Sequence, residues 1–338
     1  MSATLKLLKA RHGDAFIFEC LKEKRSFYMV VDSGPRLSSM DIVPLIKELP
    51  QIDLLVLTHY DEDHISGFID YFKQYPVDAL KIKEYWCNCA SQIEVDSKTT
   101  ISAYDNAKSF ADSLRDILKE HKDVRWIELV KAGHEYHNEL VDIEVIAPSE
   151  QALAHNRDCY IADQYPTISY QNMQNNLDVA LEKLAHREMS SKAQVVNNAS
   201  IAFILHSDSK SYLMLGDVMA DDVYTYLASK GYSDENPLVV DYVKVSHHGS
   251  KNNTTNKLLN IIKSNRFVFS TNGGRGNAYH PDRETIAKIL YHERRNMCET
   301  VHLYFNYTLS EIGKRTTLFN DGETVKANCV VHDNELEL

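Results

Sequence analysis

The sequence predicts an α/β fold, a four-layer αββα sandwich in which two mixed sheets lie between outer helices. Two observations lead to this prediction. In each half of the chain, short apolar strands are followed by strand-then-helix units, and His or Asp residues follow four of the predicted strands, where α/β sheets usually build active sites. We predict a single domain over 1–338 with an insertion or cap at about 149–196, a polar stretch rich in Asn and Gln.

Strands of the first half are predicted where apolar residues alternate or run continuously, at 4–10, 15–20, 27–31, 52–57, 82–86 and 124–130. Helical periodicity predicts one helix beginning near His64 and another over 103–120. The segment NELVDIEVIAP is predicted as a strand that ends at a proline.

The second half starts with the predicted insertion, in which NNLDVALEKLAHREM is weakly helical. Strands are then predicted at 200–205, 212–215, 239–245 and 267–269, and a helical run follows each of the last three. This alternation is typical of strands that pair side by side, with helices covering one face of the sheet.

Composition limits the class of protein. The chain has 338 residues, 43% of them hydrophobic and 25% charged, which is enough to bury a large core. No apolar run is long enough to cross a bilayer, the N-terminus lacks a signal-peptide pattern, and six cysteines are too sparse for a disulfide framework. We therefore expect a cytoplasmic protein with free thiols and no membrane partner.

The formal net charge of −11 argues against a broad basic surface for nucleic acid. It does not exclude a nuclease, because bound divalent cations offset local acidic charge and can themselves hold a phosphate.

The strand at 52–57 runs into the most unusual stretch of the chain, THYDEDH, which contains His59, Asp61, Asp63 and His64. Carboxylates this close repel one another unless a cation or hydrogen-bond donors hold them. One alternative is that Asp61 or Asp63 simply caps the following helix, since Asp is a favoured N-cap residue.

Three later strand ends carry similar residues: Asp217 after a glycine, the pair His247 and His248, and His280 before a proline. Taken singly, Asp217 is also compatible with a helix cap, the histidine pair with core and surface positions, and His280 with a turn. Their joint occurrence favours a divalent metal, because His and Asp suit an ion that activates water.

These residues resemble the metallo-β-lactamase superfamily, and within it the ComEC-like branch, here without membrane spans. The superfamily pattern H-x-H-x-D-H is present as H-Y-D-E-D-H, with Asp61 at the second histidine position. The segments HGDAF, VVDSG, NNAS, LMLGD and KVSHHGS follow in the order expected of that branch. The resemblance extends from about Gly13 to Pro281, with the polar stretch outside it.

The resemblance implies two metal positions that share Asp217. The first would use His59, Asp61 and Asp217, and the second Asp63, His64, Asp217 and His247. Asp32, Asn198 and Ser200 would support these ligands through hydrogen bonds without binding metal.

One departure from the family pattern concerns the metal itself. The G-H pair that usually supplies another ligand is replaced by NNAS at 197–200, and we interpret Gly133-His134 as an imitation outside the site. The first position is therefore rich in oxygen, which leaves Zn²⁺ or Mn²⁺, with Mg²⁺ as a third candidate, for one or two ions.

The implied function is that of a metal-dependent hydrolase. We expect a phosphodiesterase, and most specifically a nuclease, in which a metal-activated hydroxide attacks phosphorus. The expected catalytic residues are Asp63, Asp217, His248 and His280, and either of the two histidines would contact the phosphate or protonate the leaving oxygen.

Two other functions stay open. The same fold and metals serve the hydrolysis of small esters, thioesters and lactams in other branches. A degenerate member would instead be a non-catalytic binding or regulatory module. The expected partner is nucleic acid or another phosphodiester, and a protein partner or a homo-oligomer is compatible with the acidic surface.

Overall fold

The computed structural model describes residues 2–75, 81–88, 102–121, 123–161, 176–187, 195–208 and 210–338. The first sheet has six strands, in the order β1-β2-β3-β4-β5-β6. β1, β2 and β3 pair antiparallel, whereas β3 to β6 pair parallel. Its strands are β1 Ser2–Leu7, β2 Phe16–Lys22, β3 Arg25–Val31, β4 Leu54–Leu57, β5 Glu84–Cys87 and β6 Arg125–Ile127.

The remaining strands are β7 Glu135–His137, β8 Val141–Ala147, β9 Ala202–Ser207, β10 Ser211–Met214, β11 Leu238–Val239, β12 Tyr242–Lys244, β13 Ile262–Lys263, β14 Arg266–Phe269, β15 Val301–Phe305 and β16 Cys329–His332. Eight of them form the second sheet, in the order β16-β15-β14-β12-β10-β9-β8-β7, and β11 pairs with β13 in a small separate sheet. From β10 to β16 the second sheet is parallel, and from β7 to β10 it is antiparallel.

The helices are α1 Ser39–Glu48, α2 Glu62–Gln74, α3 Ser102–Glu120, α4 Glu150–Ile161, α5 Leu181–Leu184, α6 Val195–Asn198, α7 Ala220–Ser229, α8 Asn256–Leu259, α9 Arg283–Tyr291, α10 Leu309–Gly313 and α11 Glu323–Lys326. Apolar residues of α1, α2 and α3 pack on one face of the first sheet, and those of α5, α7, α8 and α9 pack on the second sheet. These helices form the two outer layers.

Strand β4 shows how the layers are joined. Leu54 and Val56 lie in the core between the sheets, whereas Leu55 and Leu57 lie in the core beneath the first helix layer. Because side chains alternate along a strand, a run of four apolar residues serves both cores. The predicted fold class, two mixed sheets with outer helices, is confirmed.

Two predicted elements were wrong in detail, and several others were not predicted. The strand predicted at 239–245 is two strands, β11 and β12, which are interrupted at Asp241. The interruption occurs because Oδ2 of Asp241 accepts hydrogen bonds from the backbone N–H and the hydroxyl of Ser211. In the polar stretch, α4 is a helix that was not predicted, and among residues 176–187, the described part of the weakly helical segment, only those of α5 are helical. Strands β7, β13, β15 and β16 and helix α1 were missed as well.

In the part of the chain that the structure describes, none of the helices has the length and apolar character needed to span a bilayer. The division into one domain with an inserted segment stays a prediction.

Candidate metal centre

The loop after β4 is held in place by Asp32. This residue follows β3 with φ 56° and accepts hydrogen bonds from the backbone N–H of Thr58 at 2.8 Å and from its hydroxyl at 2.7 Å. The second oxygen of Asp32 also lies 2.8 Å from Nδ1 of His64. Asp61 occupies the N-cap position of α2, but its side chain makes no capping hydrogen bond. The capping alternative therefore does not explain Asp61.

Asp217 follows β10 through a glycine that has no room for a side chain. Gly216 has φ 47°, and a Cβ atom there would lie 2.4 Å from Oγ of Ser200. That hydroxyl accepts the backbone N–H of Asp217 at 3.1 Å, and Asn197 donates from Nδ2 to Asp217 Oδ2 at 3.1 Å. The N-cap of α7 is Met219, so Asp217 points into the cluster without capping the helix.

After β12 the backbone turns through a left-handed stretch. His247, His248 and Gly249 have φ values of 47°, 53° and 89°, a region that residues with a Cβ rarely adopt. Such strain tends to occur at functional sites. Nδ1 of His247 lies 3.1 Å from Oδ1 of Asn253, and Nδ1 of His248 lies 2.9 Å from the carbonyl oxygen of Ser270. Each contact leaves the Nε2 atom of the ring available to the cluster.

Four imidazoles surround one carboxylate oxygen. Oδ2 of Asp217 lies 3.5 Å from Nε2 of His64, 3.7 Å from that of His247, 3.8 Å from that of His59 and 3.9 Å from that of His248. These residues come from three strand ends in two different sheets. The strand-end motifs therefore meet in one place.

Within this cluster, ligand atoms of two overlapping trios lie within 4.8 Å of one another: His59 with His64 and Asp217, and Asp63 with His64 and His248. The second trio contains His248, for which the sequence predicts a catalytic role, and lacks Asp217 and His247 of the predicted second position; the assignment of ligands stays a prediction. His248 Nε2 lies 3.4 Å from Asp63 Oδ2. Another trio of Asp14, Asp32 and His64 lies behind the first two.

Asp61 lies at the edge of the cluster, with Oδ2 3.6 Å from Nε2 of His59. His280 lies beside the histidine pair, its ring centroid 5.3 Å from that of His247 and 6.4 Å from that of His248. Its buried Nδ1 faces Asp282 at 3.7 Å. Each predicted ligand and catalytic residue therefore lies in or beside the cluster.

The donor atoms suit a divalent cation. Nε2 of His59, His64 and His248 and Oδ1 of Asp217 are buried and have no hydrogen-bond partner. Buried polar atoms are nearly always hydrogen-bonded, so several that converge on one point indicate a ligand that supplies the missing interaction. Imidazole nitrogens fixed by a hydrogen bond at the other ring nitrogen are typical metal ligands.

The electrostatics also indicate a place for positive charge. Burial opposes ionisation of Asp63 and Asp217, yet the neighbouring histidines outweigh it and lower the pKa of both. Burial likewise opposes protonation of His64 and His248, but the surrounding carboxylates raise the pKa of His64 and bring that of His248 to about 10. For His247 burial prevails, and its pKa falls to about 4. A metal would supply the charge that these protons otherwise provide.

Asn198 has surroundings different from those expected, whereas His134 lies outside the cluster, as the sequence suggested. Burial raises the pKa of Asp222 and Asn198 counters part of this rise, so Asn198 interacts with Asp222, whereas the amide that reaches Asp217 is that of the preceding Asn197. His134 packs edge-on against Trp86, with ring centroids 4.9 Å apart. It lines a separate polar cleft together with Asp53, Lys83, Glu84, Asp123, Arg125, Glu135, Tyr136 and His137.

Sequence reasoning assigned no chemistry to the turn between β1 and β2. Asp14 lies 3.3 Å from Nδ1 of His248, and the backbone of Gly13 is so close to Asp63 that a Cβ would lie 2.0 Å from its carbonyl oxygen. Burial lowers the pKa of His12, and the charges of Asp63 and His248 act on it as well. The HGDAF motif was the available signal for these residues.

The fold and the site together define a class of protein: two-sheet sandwiches with a cluster of possible metal ligands, His and Asp, at the strand ends. The sequence model of the metallo-β-lactamase superfamily matches residues 13–273. The chain belongs to this superfamily, which places it among metal hydrolases of that fold.

Solved structures with a similar fold are distant in sequence. The metallo-β-lactamase fold protein YhfI from Bacillus subtilis is 9% identical, with 100% of this chain and 99% of that chain covered and a TM-score of 0.42. Zn²⁺-bound PqqB from Methylobacterium extorquens is 10% identical, with coverages of 96% and 86% and a TM-score of 0.39. A diphosphatase of the PhnP family is 11% identical, with coverages of 100% and 97% and a TM-score of 0.36. No curated protein sequence matches the chain.

Proposed function

We propose that the protein is a divalent-metal-dependent phosphodiesterase of the ComEC-like branch and that its substrate is nucleic acid. The observation that carries this proposal is the convergence of unpartnered histidine and aspartate atoms around Asp217. A bound divalent cation would lower the pKa of a water molecule and offset negative charge on a phosphoryl oxygen.

The chain's own residues divide this work. His59, His64 and Asp217 would hold a cation, or Asp63, His64 and His248 would; His64 serves one trio at a time, because its Nδ1 contacts Asp32 and its Nε2 has a single lone pair. Asp61 and His247 lie at the edge of these two sets of ligands. Their charge and hydrogen bonds would adjust how strongly the sets bind a cation. His280 is buried beside the cluster, in a position to donate a proton to a leaving oxygen.

Each trio offers two imidazole nitrogens and one carboxylate oxygen, a set that suits Zn²⁺ or Mn²⁺, and an added oxygen from Asn197 would favour Mn²⁺ or Mg²⁺. Asn197, not a histidine, lies where the family pattern places another nitrogen ligand, and its Oδ1 is buried without a hydrogen bond. Hard cations prefer oxygen ligands, whereas Zn²⁺ favours nitrogen and sulfur. Zn²⁺ remains in the set to be tested.

Three arginines on loops that contact one another, one of which reaches α2, would suit a phosphate-bearing substrate. Arg275 donates from Nη1 to Oε2 of Glu62, in the first turn of α2, at 2.5 Å. Asn272 of the same loop donates its N–H to the carbonyl oxygen of Arg11, and Arg315 donates to that of Gly276. We call Arg11, Arg275 and Arg315 the arginine rim.

The rim contrasts with the net charge of the chain, −11. Guanidinium groups bind phosphate oxygens in a bidentate manner, and three of them on contacting loops suit a substrate with more than one phosphate. Arg275 would exchange the carboxylate of Glu62 for a phosphate.

The test is a cleavage time course on metal-free protein with Mn²⁺, Mg²⁺ or Zn²⁺ added. Substrates are single- and double-stranded DNA, RNA and a chromogenic phosphodiester, beside a thioester and a lactam. Asp217→Ala is the site variant. Asp142→Ala is the control, since Asp142 is an exposed acid of β8 that hydrogen-bonds to His137.

Metal-dependent phosphodiester cleavage that Asp217→Ala abolishes and Asp142→Ala retains would support the proposal. Turnover of the thioester or lactam alone would replace it with acyl hydrolysis. Absence of turnover in every combination, with metal bound, would favour a non-catalytic binding role.

A further inference from the structure

A buried ion pair lies directly behind the candidate metal centre. The carboxylate of Asp14 contacts the ammonium of Lys244, and both side chains are about 1% exposed. Burying two charges costs desolvation energy that the pair's attraction often fails to recover, so such a pair rarely increases stability over apolar residues of similar size. A role in positioning other groups would explain it.

Asp14 acts on His248. Its Oδ1 lies 3.3 Å from Nδ1 of His248, and the carbonyl oxygen of Ser270 lies 2.9 Å from the same nitrogen. The carbonyl oxygen of Ser270 accepts the Nδ1 proton and the charge of Asp14 favours a proton at that nitrogen, so the metal-binding form of the ring has its lone pair on Nε2, which faces Asp63 at 3.4 Å.

Lys244 connects this histidine to a second strand end. Its Nζ donates to the carbonyl oxygen of Gly216 at 3.2 Å, and Gly216 immediately precedes Asp217. Lys244 is the last residue of β12, which pairs with β10, so one buried ammonium contacts the exits of two neighbouring strands. It also balances Asp14, which would otherwise add a buried negative charge behind Asp32, Asp63 and Asp217.

We propose that Asp14 and Lys244 form a positioning pair that orients His248 and the Asp217 loop toward the metal. The inference rests on the metal centre of the proposed function, and it is independent of the substrate. Neither residue touches the reacting atoms. Their effect on metal binding passes through the Nδ1 proton of His248 and the carbonyl group of Gly216.

The experiment measures metal affinity, not turnover. Metal-stripped wild type, Asp14→Asn and the apolar double variant Asp14→Leu/Lys244→Met are titrated with Mn²⁺ and with Zn²⁺ by calorimetry. Thermal unfolding of each is recorded in chelator. The double variant is included because replacing both charges of a buried pair by apolar groups is often neutral for folding, whereas removing one is not.

The matched control is Glu323→Gln. Glu323 pairs with the fully buried Arg283, whose guanidinium also donates to the carbonyl oxygens of Leu318 and Val179, on the helical side of the second sheet. This variant disturbs a buried ion pair that contacts no member of either metal trio.

We expect both Asp14 variants to bind metal about 10–100-fold more weakly than wild type, the range typical of lost partners of metal ligands. The ¹⁵N shifts of the His248 ring should differ from those of wild type in the double variant, because Nδ1 then has only the carbonyl oxygen of Ser270 beside it. Glu323→Gln should unfold at a lower temperature with unchanged metal affinity.

Wild-type affinity in the double variant, with the His248 ring unchanged, would overturn the inference and leave the metal centre intact. Failure of wild type to bind either ion would overturn the metal centre, and the inference with it. These two outcomes are distinguishable from the same titrations.

Discussion

His248 Nε2 lies 3.4 Å from Asp63 Oδ2, and the ring reaches that position because its own backbone is left-handed. The neighbouring His247 adopts the same backbone conformation but directs its Nε2 to Asp217, at 3.7 Å. Both histidines therefore lie near Asp217, but His248 lies nearer to Asp63, and of the two only His248 belongs to a compact trio.

This difference predicts unequal effects of the two histidines on metal binding. His248→Gln should weaken the binding of Mn²⁺ or Zn²⁺ by more than about 100-fold, which is beyond the loss expected for a supporting residue. His247→Gln should weaken it by about 10-fold. Calorimetric titration of metal-stripped protein measures both. The reverse order would restore His247 as the ligand that the sequence suggested.

Metal removal should destabilise the fold. The cluster brings Asp32, Asp63 and Asp217 together, and a cation that binds only the folded chain adds about 2.7 kcal/mol at 100 times its Kd. For a chain of this length that corresponds to a rise in Tm of about 4 °C. Thermal unfolding in chelator and in excess Mn²⁺ measures the shift.

Asp217→Ala serves as the control for this effect, because it removes the carboxylate that contacts all four histidines. Its Tm should be insensitive to metal. An equal shift in wild type and Asp217→Ala would mean that the stabilising ion binds elsewhere.

Gly13→Ala should damage the metal centre through packing. A Cβ at position 13 would lie 2.0 Å from the carbonyl oxygen of Asp63 and 2.9 Å from Cδ of Pro35. Overpacking of this kind costs about 1–3 kcal/mol, and here the backbone that has to move carries a metal ligand. We expect a lower Tm together with weaker metal binding.

Gly313→Ala is the matched control, since a Cβ there would have no heavy atom within 4 Å. It should leave both Tm and metal affinity close to wild type. If Gly13→Ala behaves like this control, the turn does not brace Asp63.

His292 should make the fold sensitive to mild acid. Burial, with a smaller contribution from the charge of Arg295, lowers the pKa of His292 to about 4 from an ordinary 6.5. Below pH 6.5 the unfolded chain binds a proton that the folded chain does not, so stability falls as the pH drops toward 4. The full effect is about 3 kcal/mol.

Denaturant unfolding of wild type and His292→Gln at several values between pH 7 and pH 4.5 tests this. The variant should lose less stability over that interval, because it has no imidazole to protonate at this position. Parallel pH profiles for the two proteins would show that other groups account for the acid sensitivity.

Local patterns predicted most of the elements that carry the site. The apolar run of β4 and the acids and histidines after it are adjacent in sequence, so their order along the chain already indicates a buried strand followed by a polar turn. The prediction of one strand at 239–245 was wrong because the interruption depends on Asp241 accepting hydrogen bonds from Ser211, a residue of strand β10. Helix α4 was missed because its polar composition gives no helical periodicity. Contacts with distant residues help to hold it: the hydroxyl of Tyr60 donates a hydrogen bond to Oδ1 of Asn156 in α4, at 2.7 Å.

The sequence by itself determined the residue types of the metal centre and the strand ends that bear them, because covalent order places His59, Asp63, Asp217 and His248 after apolar runs. Only the tertiary structure decided which of these atoms meet. The contact of His248 with Asp63, that of Asn197 with Asp217, and the pairing of Asp14 with Lys244 depend on backbone torsions and on the packing of two sheets. Distances between strand ends follow from sheet order, which brings distant segments together and which no local pattern encodes.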